Sequence, residues 1–375
     1  MRRFAFILHP LRFDDFARKF PFTRWLPERL VEGIFRHVPP LKVGHVTGVV
    51  STTGETLEGW LIGLAMTPRV LLETPFARIL PRLVAAGRLA EQLGAEIVGL
   101  GAFTKIAGDR GISVARALRI PVTTGNSYTT ATAVAGALRG ARRLGIPPEA
   151  AEVAVIGATG SIGAACCHLL ARQVPALTLV ARNRERLESF RDELHERYPS
   201  VALAVETDIA RAVRRADVVI AVSSSPDAIV APEDLKPGAV VCDVARPRNL
   251  SRVVTERRPD VLVIDGGVIE VPGEQADMGF DFGFPPRMVE ACMAETMALA
   301  LEGRLENFTL GPTVDPDRVL EIDRIAARHG FKMAGFRRFE RAIPDEEIEA
   351  IRARRLRVDP SRSVAPVALS APGLQ

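Results

Sequence analysis

The chain has 375 residues, of which 47% are hydrophobic and 25% are charged, a composition typical of globular proteins. This length predicts about two domains and excludes a disordered, collagen-like, coiled-coil or disulfide-scaffold protein for most of the chain. The formal net charge of +4 is too small by itself to indicate a nucleic-acid-binding protein.

The apolar segments and the cysteines predict a cytoplasmic protein with reduced thiols. No stretch approaches the roughly 20 apolar residues of a membrane span, and the first apolar run, residues 4–8, is too short for a signal peptide. The four cysteines, at positions 166, 167, 242 and 292, show no Cys-x-x-Cys spacing and have no His cluster beside them. We therefore expect no transmembrane segment and no metal site.

Residues 1–150 predict a mixed α/β region. In chain order we expect a strand at 4–8, a hairpin with strands at 46–53 and 55–64, a helix at 81–93, strands at 95–100 and 121–124, and a helix at 127–144. Pro81 suits the first position of its helix, where the missing N–H is not needed. The residues from Gly145 to Pro148 end the last helix and mark a candidate domain boundary.

Residues 151–285 predict a doubly wound parallel sheet. Short continuous apolar runs alternate with polar, helix-like segments, as in sheets that are covered on both faces. The runs lie at residues 153–156, 177–180, 201–205, 218–222, 239–242 and 261–264. We expect later helices at 286–301, 315–329 and 341–357, and a loose tail at 359–375.

The predicted fold class is therefore α/β, with a Rossmann-like doubly wound parallel sheet and a second α/β substrate domain. The substrate domain comprises residues 1–150 and is completed by helices between residues 286 and 340. The nucleotide domain comprises residues 151–285, and residues 341–375 add a charged helix and the tail.

A glycine-rich loop follows the first strand of the nucleotide domain. Gly157, Gly160 and Gly163 have the spacing G-x-x-G-x-x-G between a buried strand and a helix. Glycine lets backbone N–H groups approach a pyrophosphate, and the helix N-terminus adds unpaired donors. This context predicts a dinucleotide site, to which the same loop and helix start add Thr159, Ser161 and Ile162. A glycine turn without a ligand is the alternative.

The end of the second strand favours NADP(H). NAD enzymes usually carry an acidic residue there, whereas this chain has Arg182, followed by Asn183 and Arg184. An arginine can bind a 2′-phosphate, although a solvated arginine at a helix start is the alternative. Ser223, Gly266 and Gly267 follow later strands and are further pocket candidates, although the two glycines are equally well explained as ordinary turn residues.

Two residues outside the glycine loop are candidates for catalysis. Cys292 lies in the predicted helix after Pro286, where a thiolate could attack a carbonyl carbon. The residues alone favour a buried core cysteine instead. Lys105 follows a strand end and could donate to an oxyanion, although a solvated loop lysine is the simpler interpretation.

Several motifs resemble those of the aldehyde-forming long-chain acyl-(acyl-carrier-protein) reductases of cyanobacteria. The resemblance spans roughly residues 40–335 and includes motifs outside the nucleotide loop. The matching segments are 99–104 (GLGAFT), 123–127 (TTGNS), 157–163 (GATGSIG), 181–183 (ARN), 247–250 (PRNL), 265–270 (DGGVIE), 291–295 (ACMAE) and 328–331 (RHGF).

The resemblance implies an activity. In that family the cysteine matching Cys292 takes the acyl chain as a thioester, and NADPH reduces it to a fatty aldehyde. It implies an acyl carrier protein, or coenzyme A, as acyl donor and an aldehyde-consuming enzyme as a further partner. We expect Lys105 and Asn126 to orient the carbonyl group. The alternatives are an NADP-dependent ketone reductase of the shikimate dehydrogenase type, with Cys292 in the core, and a non-catalytic NADPH-binding protein.

Overall fold

A computed structural model describes residues 1–10, 21–105, 108–225 and 227–358, so the predicted tail at 359–375 lies outside the described residues. The described residues form two compact units. Unit 1 comprises Met1–Asn126, Ile269–Pro312 and Arg324–Lys332. Unit 2 comprises Ser127–Val268, Thr313–Asp323 and the described part of Met333–Gln375. The predicted domain limits at residues 150 and 285 stay a prediction.

Unit 1 is built on a five-stranded sheet with the order β2–β3–β1–β4–β5. Only β2 and β3 are antiparallel, which confirms the predicted hairpin. β1 pairs in parallel with β3 and β4, and β4 pairs in parallel with β5. The strands are β1 (Arg2–Leu8), β2 (Leu41–Val50), β3 (Thr56–Gly63), β4 (Ile97–Leu100) and β5 (Val122–Thr123).

Four helices in the N-terminal part of unit 1 are α1 (Glu28–Phe35), α2 (Pro68–Glu73), α3 (Phe76–Gln92) and α4 (Ile112–Ala117). The predicted start of α3 at Pro81 is wrong, because Pro81 lies inside the helix. The apolar face extends back through Ile79, which is buried, and this burial outweighs the backbone hydrogen bond that Pro81 cannot donate.

Unit 2 contains a six-stranded, fully parallel sheet with the order β11–β10–β9–β6–β7–β8. In chain order this is the 3-2-1-4-5-6 arrangement of a Rossmann fold. The strands are β6 (Glu152–Ile156), β7 (Ala176–Val180), β8 (Ala202–Glu206), β9 (Val218–Ala221), β10 (Val240–Asp243) and β11 (Leu262–Asp265). The predicted doubly wound parallel sheet is confirmed.

The central strands of this sheet are buried at nearly every residue, as their continuous apolar runs predict. The helices that accompany the sheet are α5 (Asn126–Arg143), α6 (Ser161–Leu170), α7 (Arg184–Arg197), α8 (Ile209–Arg215) and α9 (Val253–Arg257).

Residues 268–358 contain short strands and three helices. They are β12 (Val268–Glu270), β13 (Met288–Glu290), α10 (Ala291–Glu302), α11 (Pro316–Arg328), β14 (Lys332–Met333), β15 (Arg337–Arg338), β16 (Arg341–Ala342) and α12 (Asp345–Val358). The predicted helix start at residue 286 is wrong, because β13 occupies residues 288–290 and the helix begins at Ala291. The predicted start of the charged helix at residue 341 is also wrong, since Arg341 and Ala342 pair with β15.

Helix α10 packs on the unit 1 sheet against β1 and β4, and its residues from Met293 to Leu301 are buried. Gly99 in β4 permits this approach: a Cβ atom there would lie 2.2 Å from the Thr296 Oγ1 atom and 2.5 Å from the Phe6 ring. The sheet therefore fixes where α10 begins, and with it the position of Cys292.

Among the residues that the structure describes, no helix is both long and apolar enough to span a membrane.

Candidate active site

Cys292 lies in the first turn of α10, against the chain that leaves β5. Gly125 follows that strand with a φ of +72°, and a Cβ atom on it would lie 2.2 Å from the Cys292 Cα atom and 2.3 Å from its Cβ atom. No larger residue fits without displacing the cysteine, and a positive φ itself favours glycine. The 123–127 motif therefore positions the cysteine, and Asn126 is the residue next to this contact.

A buried polar cluster lies beneath Cys292. Glu295, one turn further along α10 and fully buried, accepts hydrogen bonds from the Thr123 Oγ1 atom at 2.5 Å and the Thr309 Oγ1 atom at 2.9 Å. The Thr309 carbonyl oxygen accepts from both the backbone N–H and the hydroxyl of Thr124 at 2.9 Å. These bonds join the end of β5 to the first turn of α10, so the backbone around the thiol is held from both sides.

The end of β4 brings Lys105 to the same region. The 3₁₀ helix Ala102–Lys105 begins with a φ of +45° at Ala102, an uncommon value for a residue other than glycine. His9, at the end of β1, fixes this turn, because its Nε2 atom accepts a hydrogen bond from the Phe103 N–H at 2.9 Å. The His9 Nδ1 atom then carries the proton and donates to the Pro10 carbonyl at 2.9 Å.

The surroundings of Cys292 shift the pKa of its thiol in both directions. Burial raises the pKa of its thiol, and the carboxylates of Glu290 and Glu295 raise the pKa further. The positive charge of Lys105 and the Met293 backbone N–H lower the pKa. The resting group is therefore a protonated thiol at neutral pH, and Lys105 is the side chain that favours its ionisation.

The other cysteines are poor candidates for nucleophiles. Cys292 is partly exposed, whereas Cys166, Cys167 and Cys242 are fully buried. Burial raises the pKa of Cys166 to about 12 and raises the pKa values of Cys167 and Cys242 well above the ordinary value. Cys242 donates to the Ala133 carbonyl at 3.6 Å within unit 2, as a core thiol would.

In unit 2 the glycine loop follows β6, and α6 begins directly after it. Gly157 has a φ of +90°, and a Cβ atom on Gly163 would lie 2.1 Å from the Gly157 carbonyl oxygen. Within the described part of the chain, the Gly157 oxygen, at 3.2 Å, is the one atom within 4 Å of such a Cβ atom on Gly160, and no side chain there caps α6. The first N–H groups of α6, at Ser161 and Ile162, are thus free of intrahelical partners. These residues fit the pyrophosphate of a dinucleotide.

Ser223 lies beside this loop. A Cβ atom on Gly157 would lie 3.0 Å from the Ser223 backbone nitrogen, which donates to the Asn249 Oδ1 atom at 3.0 Å. The 247–250 motif thus supports the end of β9 next to the glycine loop.

Arg182, Asn183 and Arg184, which follow β7 after Ala181, differ in their contacts. Asn183 caps α7 by accepting from the Arg186 N–H at 2.9 Å, and Arg184 pairs with Glu188 at 3.1 Å. Among the described residues, no hydrogen bond or ion pair engages the Arg182 side chain. Arg182 is therefore the one of the three whose guanidinium group is available to an anion.

Gly266 and Gly267 follow β11, as predicted. A Cβ atom on Gly266 would lie 2.6 Å from the Val244 Cγ2 atom and 2.9 Å from the Cys242 Sγ atom, and Gly267 has a φ of +84°. Packing and backbone conformation thus explain both glycines without a ligand, and a cofactor role for them stays a prediction.

In unit 1 the structure places Lys105 and Gly125, the residue before Asn126, near Cys292. In unit 2 it places Ser223 beside the glycine loop. Thr159, which lies in that loop, is partly exposed. The sequence analysis missed His9, Glu295 and Glu290. A carboxylate within an apolar helix, three residues after the cysteine, was a usable signal for Glu295. The pairing of His9 with Phe103 depends on tertiary structure and left no sequence signal.

Parts of this chain are similar to known proteins. The family model described as Shikimate / quinate 5-dehydrogenase matches residues 141–265, which include the unit 2 sheet. The L-tryptophan dehydrogenase of Nostoc punctiforme is 11% identical, with a TM-score of 0.44, over 96% of this chain and 89% of that chain.

Two curated relatives are more similar in sequence. The aminotransferase PigE of Serratia sp. is 36% identical over 292 residues, which are 76% of this chain but 33% of PigE. The chain thus spans about a third of that relative. The long-chain acyl-[acyl-carrier-protein] reductase of Synechococcus elongatus is 31% identical over 332 residues, 85% of this chain and 94% of the reductase.

The chain belongs to the family of this reductase. The predicted resemblance is thereby confirmed at the level of the family. Family and fold also support an NADP-dependent oxidoreductase of the dehydrogenase type with NADPH as its cofactor, as predicted.

The charges around Cys292 predict opposite effects of two substitutions on its alkylation by iodoacetamide. Lys105→Met removes the group that lowers the thiol pKa, so we expect the pH midpoint to rise and labelling at pH 8 to slow, by roughly two- to tenfold. Glu290→Gln removes a group that raises the pKa, so labelling should become faster. The rate is measured by mass spectrometry of the Cys292 peptide between pH 6 and 11. Shifts in the same direction for both variants would contradict this electrostatic description.

Proposed function

We propose that the protein is an NADPH-dependent reductase that converts a long-chain fatty acyl thioester into a fatty aldehyde through a thioester on Cys292. The observation that carries this proposal is the placement of Cys292. It is the partly exposed cysteine, it lies at a helix N-terminus against Gly125, and Lys105 favours its ionised form.

In the first step the Cys292 sulfur attacks the carbonyl carbon of the acyl thioester. A new carbon–sulfur bond forms on Cys292, the bond to the donor sulfur breaks, and the donor leaves as a thiol with the proton from Cys292. One thioester replaces another, so the exchange is close to balanced in free energy. Lys105 promotes the step by favouring the thiolate, and Lys105 and Asn126 are the candidates to donate to the carbonyl oxygen.

NADPH, when bound, supplies a hydride to the carbonyl carbon of the Cys292 thioester. With a proton from solvent on the carbonyl oxygen, the product on Cys292 would be a hemithioacetal. Its carbon–sulfur bond then breaks, the hydroxyl proton passes to the sulfur, and the aldehyde leaves as the Cys292 thiol is regenerated. A thiolate leaves readily, which explains why a cysteine suits this position better than a serine.

For the cofactor we assign the pyrophosphate to the loop of Gly157, Gly160 and Gly163 and the first N–H groups of α6. The 2′-phosphate is assigned to Arg182, whose side chain has no partner among the described residues. Ser223, whose backbone nitrogen lies beside Gly157, is assigned to the same cofactor site. Asn183 and Arg184 have structural partners, and we give them a secondary role.

The proposed acyl donor is an acyl carrier protein, with acyl coenzyme A as the other donor of the same chemistry. The curated reductase carries the carrier protein in its name, which supports this choice. A cytoplasmic location and an aldehyde-consuming partner stay predictions.

The assignment of Arg182 predicts a change in cofactor affinity. Arg182→Ala should raise the Kd for NADPH roughly ten- to hundredfold, because charged hydrogen bonds to the 2′-phosphate are lost, and should leave the Kd for NADH unchanged. The Kd is measured by cofactor fluorescence without acyl substrate. Arg211→Ala, at an exposed position in α8, is the matched control and should bind both cofactors as the wild type does. An equal loss for NADPH and NADH would exclude this assignment.

Turnover with a defined substrate tests the function itself. Wild-type protein with palmitoyl- or stearoyl-carrier protein and NADPH should produce aldehyde, detected by mass spectrometry, while NADPH is consumed. Cys292→Ala should lose at least about a thousandfold in rate and keep its NADPH affinity. Cys166→Ala, in a buried helix position, is the control for removal of a thiol. No aldehyde from carrier or coenzyme A thioesters, with NADPH still bound, would refute the proposal.

The match of residues 141–265 to the shikimate dehydrogenase model keeps a ketone reductase as the second candidate. Such an enzyme needs a Lys/Asp pair in its substrate site. Among the described residues Lys105 forms no ion pair, and Asp109, four positions later in the sequence, accepts from Ser113 instead. These contacts favour the reductase, and a Cys292→Ala variant that still reduced a ketone would reverse that preference.

A further inference from the structure

Four large apolar side chains between residues 21 and 35 of unit 1 are exposed. Trp25 is 88% exposed, and Phe22, Leu30 and Ile34 are 50–56% exposed. Together they form what we call the apolar surface. Phe22 and Trp25 lie on the 3₁₀ helix Pro21–Trp25, and Leu30 and Ile34 lie on α1. Single exposed apolar side chains are common, but four large ones within residues 22–34 favour contact with an apolar partner.

The opposite face of α1 fixes the orientation of the helix. Val31 and Phe35 are buried, and the buried carboxylate of Glu32 accepts from the Thr67 hydroxyl and pairs with Arg69 of α2. Leu30 and Ile34 are one helical turn apart and therefore project together on the exposed side. Their exposure is a consequence of how the helix is anchored.

The charge near the apolar surface is positive. Arg24, Arg29 and Arg36 are exposed, and none forms an ion pair within the part of the chain that the structure describes. Glu28 is the exposed acidic residue of α1, since Glu32 is buried. An anionic partner is therefore favoured over a neutral one.

Apolar side chains with a prominent tryptophan, flanked by arginines, are the features of a helix that lies in the headgroup region of a bilayer. A second copy of the chain would bring a surface of the same positive charge against this one, which is unfavourable. An acidic protein would pair with the arginines, but this pairing would not explain why the apolar ring of Trp25 is exposed.

We propose that Phe22, Trp25, Leu30 and Ile34 insert into the headgroup region of an anionic lipid bilayer, where Arg24, Arg29 and Arg36 bind lipid phosphates. The protein then lies on the membrane without spanning it. This proposal rests on the surface of unit 1 alone and is independent of the reaction at Cys292.

The experiment uses vesicles of phosphatidylcholine with and without 30% phosphatidylglycerol. The chain has two tryptophans, and the second, Trp60, is 8% exposed, so a blue shift of tryptophan emission on vesicle addition reports Trp25. We expect co-sedimentation and a blue shift with the anionic vesicles, weakened by salt. Arg29→Glu with Arg36→Glu should weaken binding at least about twenty-five-fold, from roughly fivefold per lost arginine.

Trp25→Ser with Ile34→Ser should abolish the binding, whereas Leu72→Ser, at an exposed position of α2, should leave it unchanged. All of these side chains are exposed, so thermal unfolding should be unaffected in each variant. Absence of vesicle binding by the wild type, or equal binding by Trp25→Ser/Ile34→Ser, would overturn the proposal. Binding of an acidic carrier protein that the same variants abolish, without vesicle binding, would assign the surface to a protein instead.

Discussion

The geometry of the candidate site depends on the close approach of the Gly125 backbone to Cys292 in unit 1. The chain leaving β5 and the first turn of α10 meet where no Cβ atom fits. Gly99 permits the helix to pack on the sheet, and Glu295 joins the helix to Thr123 and Thr309 from below. A thiol on a helix packed less closely would have more rotamers and a less defined direction of attack.

The two units share one backbone feature, a close contact between a glycine and the start of a helix. In each, a glycine after a parallel strand lies close to the first turn of a helix: Gly125 at α10 in unit 1, and Gly157, against Gly163 of α6, in unit 2. In unit 2 the open N–H groups suit a phosphate, whereas in unit 1 the helix start holds a thiol. The same backbone arrangement thus lies at the proposed phosphate site in one unit and at the proposed nucleophile in the other.

Much of the nucleotide domain could be predicted from the sequence, because strands buried on both faces leave continuous apolar runs and the glycine loop has a local pattern. Helix boundaries were harder to predict. Pro81 looked like a helix start, but tertiary burial of Ile79 extends the helix before it. The residues alone favoured a core role for Cys292, and only the family resemblance made it the candidate nucleophile. The contacts of His9 and the packing of Gly266 against Cys242 depend on chain segments far apart in sequence, so no local pattern could reveal them.

The central claim, a thioester on Cys292, is tested most directly by separating acyl transfer from reduction. The wild-type protein is mixed with palmitoyl-carrier protein in the absence of NADPH, and the intact mass is measured before and after NADPH is added. We expect a palmitoyl adduct on the Cys292 peptide that disappears in one turnover with an equal amount of aldehyde formed. Aldehyde production without an adduct on Cys292, or an adduct that NADPH does not convert into aldehyde, would contradict the proposed mechanism.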